Sequence, residues 1–139
     1  MKDFKKNVEQ YMDCIQRHDF GKMRQMLHQR YSYTGADGKK QQGIEAAIGI
    51  TEMYTKAFPD LKLEIKQMYT AGDIVVTEIL AHGTHRGELM GIDPTNRKVT
   101  VPICNVTEFR DEKIYAEHEY FDNAYLLQQL GVEVGHAHA

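Results

Sequence analysis

The stretch Lys113-Ile-Tyr-Ala-Glu-His-Glu-Tyr-Phe-Asp122, running on into Asn123-Ala-Tyr-Leu-Leu-Gln-Gln-Leu-Gly131, decides the reading of this chain. It reads as a strand that ends in a carboxylate and turns into a helix. Side chains alternate across a strand, so Ile114, Ala116, His118, Tyr120 and Asp122 share one face. If that face looks inward, Asp122 is a carboxyl group in poor solvent, with the His118 imidazole about 13 Å away along the strand. Desolvation favours the neutral acid and moves its pKa toward the range useful for proton transfer. Asp122 also precedes a helical pattern and is a good N-cap residue, and the two roles are compatible.

Upstream, the period of the hydrophobic pattern changes once. From Lys2 to about His18, Phe4, Val8, Tyr11, Met12 and Ile15 form one helical stripe. Asp19 caps a shorter helix carrying Phe20, Met23 and Leu27, and Tyr31 to Tyr33 reads as a short strand. Asp37-Gly38 is a turn, and Gly43 to Phe58 is a third helix stopped by Pro59. Beyond Pro59 the period falls to two. Leu61 to Tyr69 and Ile74 to His85 form a hairpin around Ala71-Gly72-Asp73, and Lys98 to Arg110 is a further long strand. Helices followed by antiparallel strands predict an α+β fold, with residues 1–132 as one domain and 133–139 as a tail.

The closing hairpin carries the site argument. With Asp111-Glu112 as a two-residue loop, Asn105 faces His118, Ile103 faces Tyr120 and Val101 faces Asp122. Val101, Ile103, Asn105, His118, Tyr120 and Asp122 then form an apolar surface dotted with polar groups, the profile of a small-molecule pocket. The opposite face, with Glu117, Glu119, Tyr115, Phe121, Val106 and Cys104, reads as solvated or subunit-facing. A slip of one residue would reverse these assignments. Asp122 and His118 are the candidate catalytic pair, and Asn105, His85, Tyr120, Tyr11 and Tyr54 the candidate substrate contacts. For His85 a structural role at a strand end competes with substrate contact, and Tyr11 and Tyr54 also fit the core.

Several function classes recede. The chain has 139 residues and a net charge of -3, which offers no basic field for nucleic acid. No stretch reaches the length of a membrane span, and the charged opening is not a secretory signal. Cys14 and Cys104 do not form a disulfide framework, which points to the cytoplasm. His82 and His85 fall on opposite faces of a strand, and His136 and His138 lie in the tail, so no metal is expected.

Ala57-Phe-Pro-Asp-Leu61, Ala71-Gly-Asp73, Gly83-Thr-His85 with Gly87, Pro94-Thr95, and Tyr120-Phe-Asp122 with Leu127-Gln-Gln-Leu-Gly131 resemble the SnoaL-like polyketide cyclases, or ester cyclases. The resemblance implies the cone-shaped α+β barrel shared with nuclear transport factor 2, ketosteroid isomerase and scytalone dehydratase. It also implies cofactor-free acid/base chemistry on a small apolar carbonyl compound, such as intramolecular aldol closure of a polyketide ester or a related isomerisation or hydrolysis. Asp122 matches the family's acid/base, and a homodimer is implied by analogy. The chain departs from the family at Tyr33-Thr34-Gly35, at Glu78 and at Asp111-Glu112-Lys113. The alternative is a non-catalytic ligand-binding module on the same fold.

Overall fold

The computed structural model describes residues 3–132. The expected tail, with His136 and His138, lies outside them. Helix α1 spans Lys5–Arg17 and buries Val8, Tyr11, Met12 and Cys14. Helix α2, Phe20–Met26, begins where the Asp19 carboxylate accepts the Lys22 amide at 3.1 Å. Strands β1 (Leu27–Thr34) and β2 (Lys40–Gln42) form a hairpin around Gly38, whose φ of 78° suits its turn position. β2 is absent from the sequence reading because its Lys-Gln-Gln is exposed throughout and carries no apolar alternation. Helix α3 covers Ile44–Ala57. Strands β3 (Lys62–Ala71), β4 (Ile74–Thr84), β5 (Lys98–Arg110) and β6 (Lys113–Phe121) follow, and α4 (Asn123–Gln129) closes the described chain.

The six strands form one sheet in the order β2-β1-β6-β5-β4-β3. Every pairing is antiparallel except β1 with β6, so the sheet is mixed. It is open, with β2 and β3 at its edges, rather than a closed barrel. The helices cover its inner face. Phe4 stacks on Phe109 with ring centroids 4.2 Å apart, and Val8, Tyr31, Val75, Ile79 and Ile114 complete this core. A second cluster of Ala57, Phe58, Leu89, Val99, Val101, Leu126 and Leu130 seals the other end under α4.

One junction explains two of the motifs that carried the resemblance. The Asp60 carboxylate accepts both the amide and the hydroxyl of Thr84 at 2.7 Å, and these bonds hold its pKa low. Nearby, the Arg86 and Gly87 amides both donate to Ala57 O, at 2.9 and 3.1 Å. A Cβ on Gly87 would stand 2.1 Å from Lys56 O, so only glycine permits this approach. The end of α3 is thereby clamped to the end of β4.

The β5–β6 hairpin departs from the expected register. Its loop is the predicted Asp111-Glu112 pair, with φ of 51° and 62°, and Arg110 faces Lys113. Two steps later the ladder slips: Phe109 pairs with Ile114, but Glu108 pairs with Ala116, leaving Tyr115 as an extra residue. This is a β-bulge. Tyr115 is held there by the Arg110 guanidinium, 3.9 Å above its ring, and by the edge of His28 at 5.2 Å. Past the bulge, Asn105 faces Glu119, Val106 faces His118 and Cys104 faces Tyr120. Past the bulge the inward and outward faces of β6 are therefore reversed from the sequence reading, while Ile114 before it packs in the core and the faces of β5 stand as expected.

Candidate active site

The sheet and helices α1, α3 and α4 enclose an open-mouthed cavity of about 140 Å³. Tyr31, Tyr33, Ile79, Ala81, Val101, Ile103, Asn105, Glu117, Glu119 and Phe121 line it from the sheet, and Tyr11, Ile50, Thr51, Tyr54 and Leu126 from the helices. The wall is mostly apolar. Its polar groups concentrate on β6 and β1, where alternate residues present the same face and neighbouring strands bring them into register.

Two tyrosine–glutamate pairs make a ladder across these strands. Tyr31 donates to Glu117 Oε1 at 2.5 Å, and Tyr33 donates to Glu119 Oε1 at 2.6 Å. Glu117 is only 6% exposed. Its second oxygen accepts from Asn105 Nδ2 at 3.1 Å, Tyr11 adds a further hydrogen bond, and Asn105 Oδ1 in turn accepts the Thr107 hydroxyl at 3.4 Å. Burial raises the pKa of Glu117, against the pull of these donors. Glu119 is half-buried and has one protein donor, Tyr33. Burial, with a smaller contribution from the charge of Glu117, pushes its pKa up to about 7. Such a carboxyl holds both protonation states in comparable amounts near neutrality, the condition a general acid/base needs. The phenols move the other way from reactivity: burial and the carboxylates raise Tyr11, Tyr31 and Tyr33 well above the usual tyrosine range, and Tyr54 up to about 12.

The sequence candidates divide. Asn105, Tyr11 and Tyr54 lie on the cavity wall. Asp122, His118 and Tyr120 do not. The bulge turns His118 and Tyr120 to the exposed outer face, Tyr120 being 56% exposed. Asp122 lies exposed just past β6, and its Oδ1 accepts the Tyr125 amide at 3.1 Å as the N-cap of α4. His85 is fully buried away from the cavity. Its Nδ1 accepts the Thr95 amide at 3.1 Å and lies 3.0 Å from the Thr95 hydroxyl, while its backbone exchanges hydrogen bonds with Asn96 and Arg97, which pins the loop between β4 and β5.

Glu117, Glu119, Tyr31 and Tyr33 are the residues the sequence reading missed. Their signal is present but indirect: two tyrosines spaced by two on one strand match two glutamates spaced by two on another. Without the β1–β6 pairing, two glutamates on a strand read as a solvated face.

A model of the SnoaL-like polyketide cyclases matches residues 5–130. The chain belongs to that family. Among solved structures it is similar to IdmH from Streptomyces antibioticus, a candidate polyketide cyclase, with 24% identity over 94% of this chain and 100% of that one, and a TM-score of 0.82. It is similar also to AclR from Streptomyces galilaeus, a candidate hydroxylase, with 25% identity over 90% and 80% of the two chains and a TM-score of 0.78. A protein of ketosteroid isomerase-like fold from Catenulispora acidiphila, crystallised with trimethylamine, shares 20% identity over 91% and 92% with a TM-score of 0.77. No curated protein matches. Among the described residues no helix is long and apolar enough to cross a membrane.

Proposed function

We propose that this protein is an acid/base enzyme acting on a small carbonyl compound, with Glu119 as the group that takes and returns the proton. The observation that supports it is a half-satisfied carboxyl, with a pKa near 7, facing an otherwise apolar cavity. Ionised Glu119 removes a proton from the carbon beside a substrate carbonyl. The carbanion adds to a second carbonyl carbon of the same molecule, forming the ring bond, and the resulting alkoxide recovers the proton from Glu119. The cycle is redox-neutral and consumes nothing. Tyr33 orients Glu119 through its 2.6 Å hydrogen bond, and Glu117 with Tyr11, Tyr31 and Asn105 forms the rigid polar floor beneath. This role, first expected of Asp122, passes to the strand position that faces the cavity. We further propose a cytoplasmic homodimer joined through the outer sheet face expected to hold Tyr115, Phe121 and Val106; Phe121 lines the cavity instead, and exposed Tyr120 takes its place there.

The test is base-catalysed exchange, followed by NMR in D2O, of the α-protons of cyclic ketones and β-keto esters small enough for the cavity. Glu119→Gln is expected to lower the protein-dependent rate by about 100-fold or more, the range for loss of a general base. Asp122→Asn should leave it within about twofold. Loss of exchange in Asp122→Asn with Glu119→Gln fully active would return the role to Asp122.

A further inference from the structure

We propose that the ligand of this cavity carries a cationic amine, seated against the open oxygen of Glu119 and the aromatic side chains around it. The proposal rests on the reading of Glu119 as the proton carrier and names the class of molecule on which it acts.

The cavity is built with two carboxyls, and among the described residues no lysine or arginine lines it. Its one basic lining residue, His82, is already engaged, with Nε2 2.9 Å from Glu64 Oε1 and Nδ1 3.1 Å from the Thr100 hydroxyl. Both Glu117 oxygens are used by protein donors, but only Oε1 of Glu119 is. Glu119 Oε2 therefore has no partner among the described residues and is available to the contents of the cavity. Tyr33, Tyr54, Phe58 and Phe121 contribute aromatic surface to the same wall.

These features rank the possible ligands. An anion would be buried against two carboxyls with no counter-charge, which is costly in a desolvated site. A neutral molecule would gain apolar contacts and a hydrogen bond to Glu119 but no ion pair. A cation gains an ion pair with Glu119 in a low-dielectric setting and attraction to the ring faces, the combination that recognises alkylammonium groups. A volume of about 140 Å³ compares with a cavity that accommodates benzene, so a trimethylammonium head fits.

Seating the cation also shifts the protonation of Glu119. The ion pair favours the carboxylate, so protonated Glu119 releases its proton to solvent as the cation binds. The titratable groups facing it are Glu117 on its own strand, Tyr31 and Tyr33 on β1, Tyr11 on α1, Tyr54 on α3 and His82 on β4. The phenols stay neutral between pH 5 and 9, because burial and the nearby carboxyls raise them. The pH dependence of cation binding is thus carried by the two glutamates and His82, and the Glu119→Gln variant separates the share of Glu119.

The test compares choline with 3,3-dimethylbutan-1-ol, its uncharged isostere, by titration calorimetry against the whole protein. At pH 8 choline should bind about tenfold or more tighter than the alcohol. At pH 5.5 that preference should shrink about tenfold, with protons released on choline binding, while the alcohol's affinity stays unchanged. Glu119→Gln should erase the preference, and if that variant does not fold, the pH comparison repeated in His82→Gln, where the tenfold loss should persist, decides in its place. Equal binding of the two probes, no binding of either, or a choline preference that survives in folded Glu119→Gln would overturn the proposal. Should it fall while α-proton exchange still depends on Glu119, the acid/base reading stands without it.

Discussion

Glu119 and Asp122 lie three positions apart at the end of one strand, and their surroundings give them opposite characters. Asp122 is exposed and spends its carboxylate on a backbone amide. Glu119 faces an apolar cavity and is pushed up to about 7. Because the anion is the base, kcat/KM for α-proton exchange is expected to rise with pH through about 7 and then level off. A pH–rate profile checks this, and a limb that reaches its plateau below pH 5 would show that an ordinary exposed carboxylate does the work. Asn105 supplies a second prediction at this scale. Asn105→Leu removes a donor from buried Glu117 and should cost about 1–3 kcal/mol of stability, measured by urea unfolding.

Elements set which side chains can meet, and here one extra residue in β6 decides the site. The sequence reading placed the β5–β6 loop and the strand limits correctly, because Asp111-Glu112 and the alternation of Val99, Val101 and Ile103 are local signals. It missed the bulge because Tyr115 is fixed by contacts with Arg110 and His28, and His28 is distant in sequence. A local pattern cannot report a contact of that range, and the slip carried His118, Tyr120 and Asp122 out of the pocket and Glu117, Glu119 and Phe121 into it. The helix that follows gives a direct check on Asp122. Asp122→Ala should lower stability by about 0.5–2 kcal/mol and Asp122→Asn by only a few tenths, since asparagine also caps. Equal losses in thermal unfolding would remove the capping role. At the α3–β4 clamp, Gly87→Ala should cost about 1–3 kcal/mol or more, because its Cβ meets backbone that has no side-chain freedom to yield.

At the scale of the whole molecule, α-helices on one face of an open mixed sheet leave a cavity between them, and that arrangement was readable from the order of periodicities together with the family resemblance. The charge inside the cavity was not, since burial of a glutamate depends on tyrosines from another strand. Housing it has a cost that varies with pH. Glu119 has a folded pKa raised from an ordinary value of 4.5 to about 7, so between those limits the folded state holds more protons than the unfolded chain. The contribution of Glu119 to stability therefore falls as pH rises through this window and is level above it, and Glu117, also raised by burial, adds a slope of the same sign. Glu119→Gln removes the Glu119 slope, so its stability relative to the native protein should improve from pH 5 to pH 7.5 by on the order of 2 kcal/mol, discounted for the open mouth of the cavity. Asp60, Glu64 and Glu45, whose pKa values are lowered by their partners, titrate below the window and leave it undisturbed.

The most direct measurement is the titration of the glutamate side chains themselves, by NMR of protein labelled with 13C at the glutamate carboxyls. The structure predicts a carboxyl resonance with a midpoint near pH 7 that is absent from Glu119→Gln and unchanged in Asp122→Asn. A protein in which every glutamate titrates near or below 4.5, or in which the resonance near 7 survives the loss of Glu119, would contradict a buried proton carrier at this position.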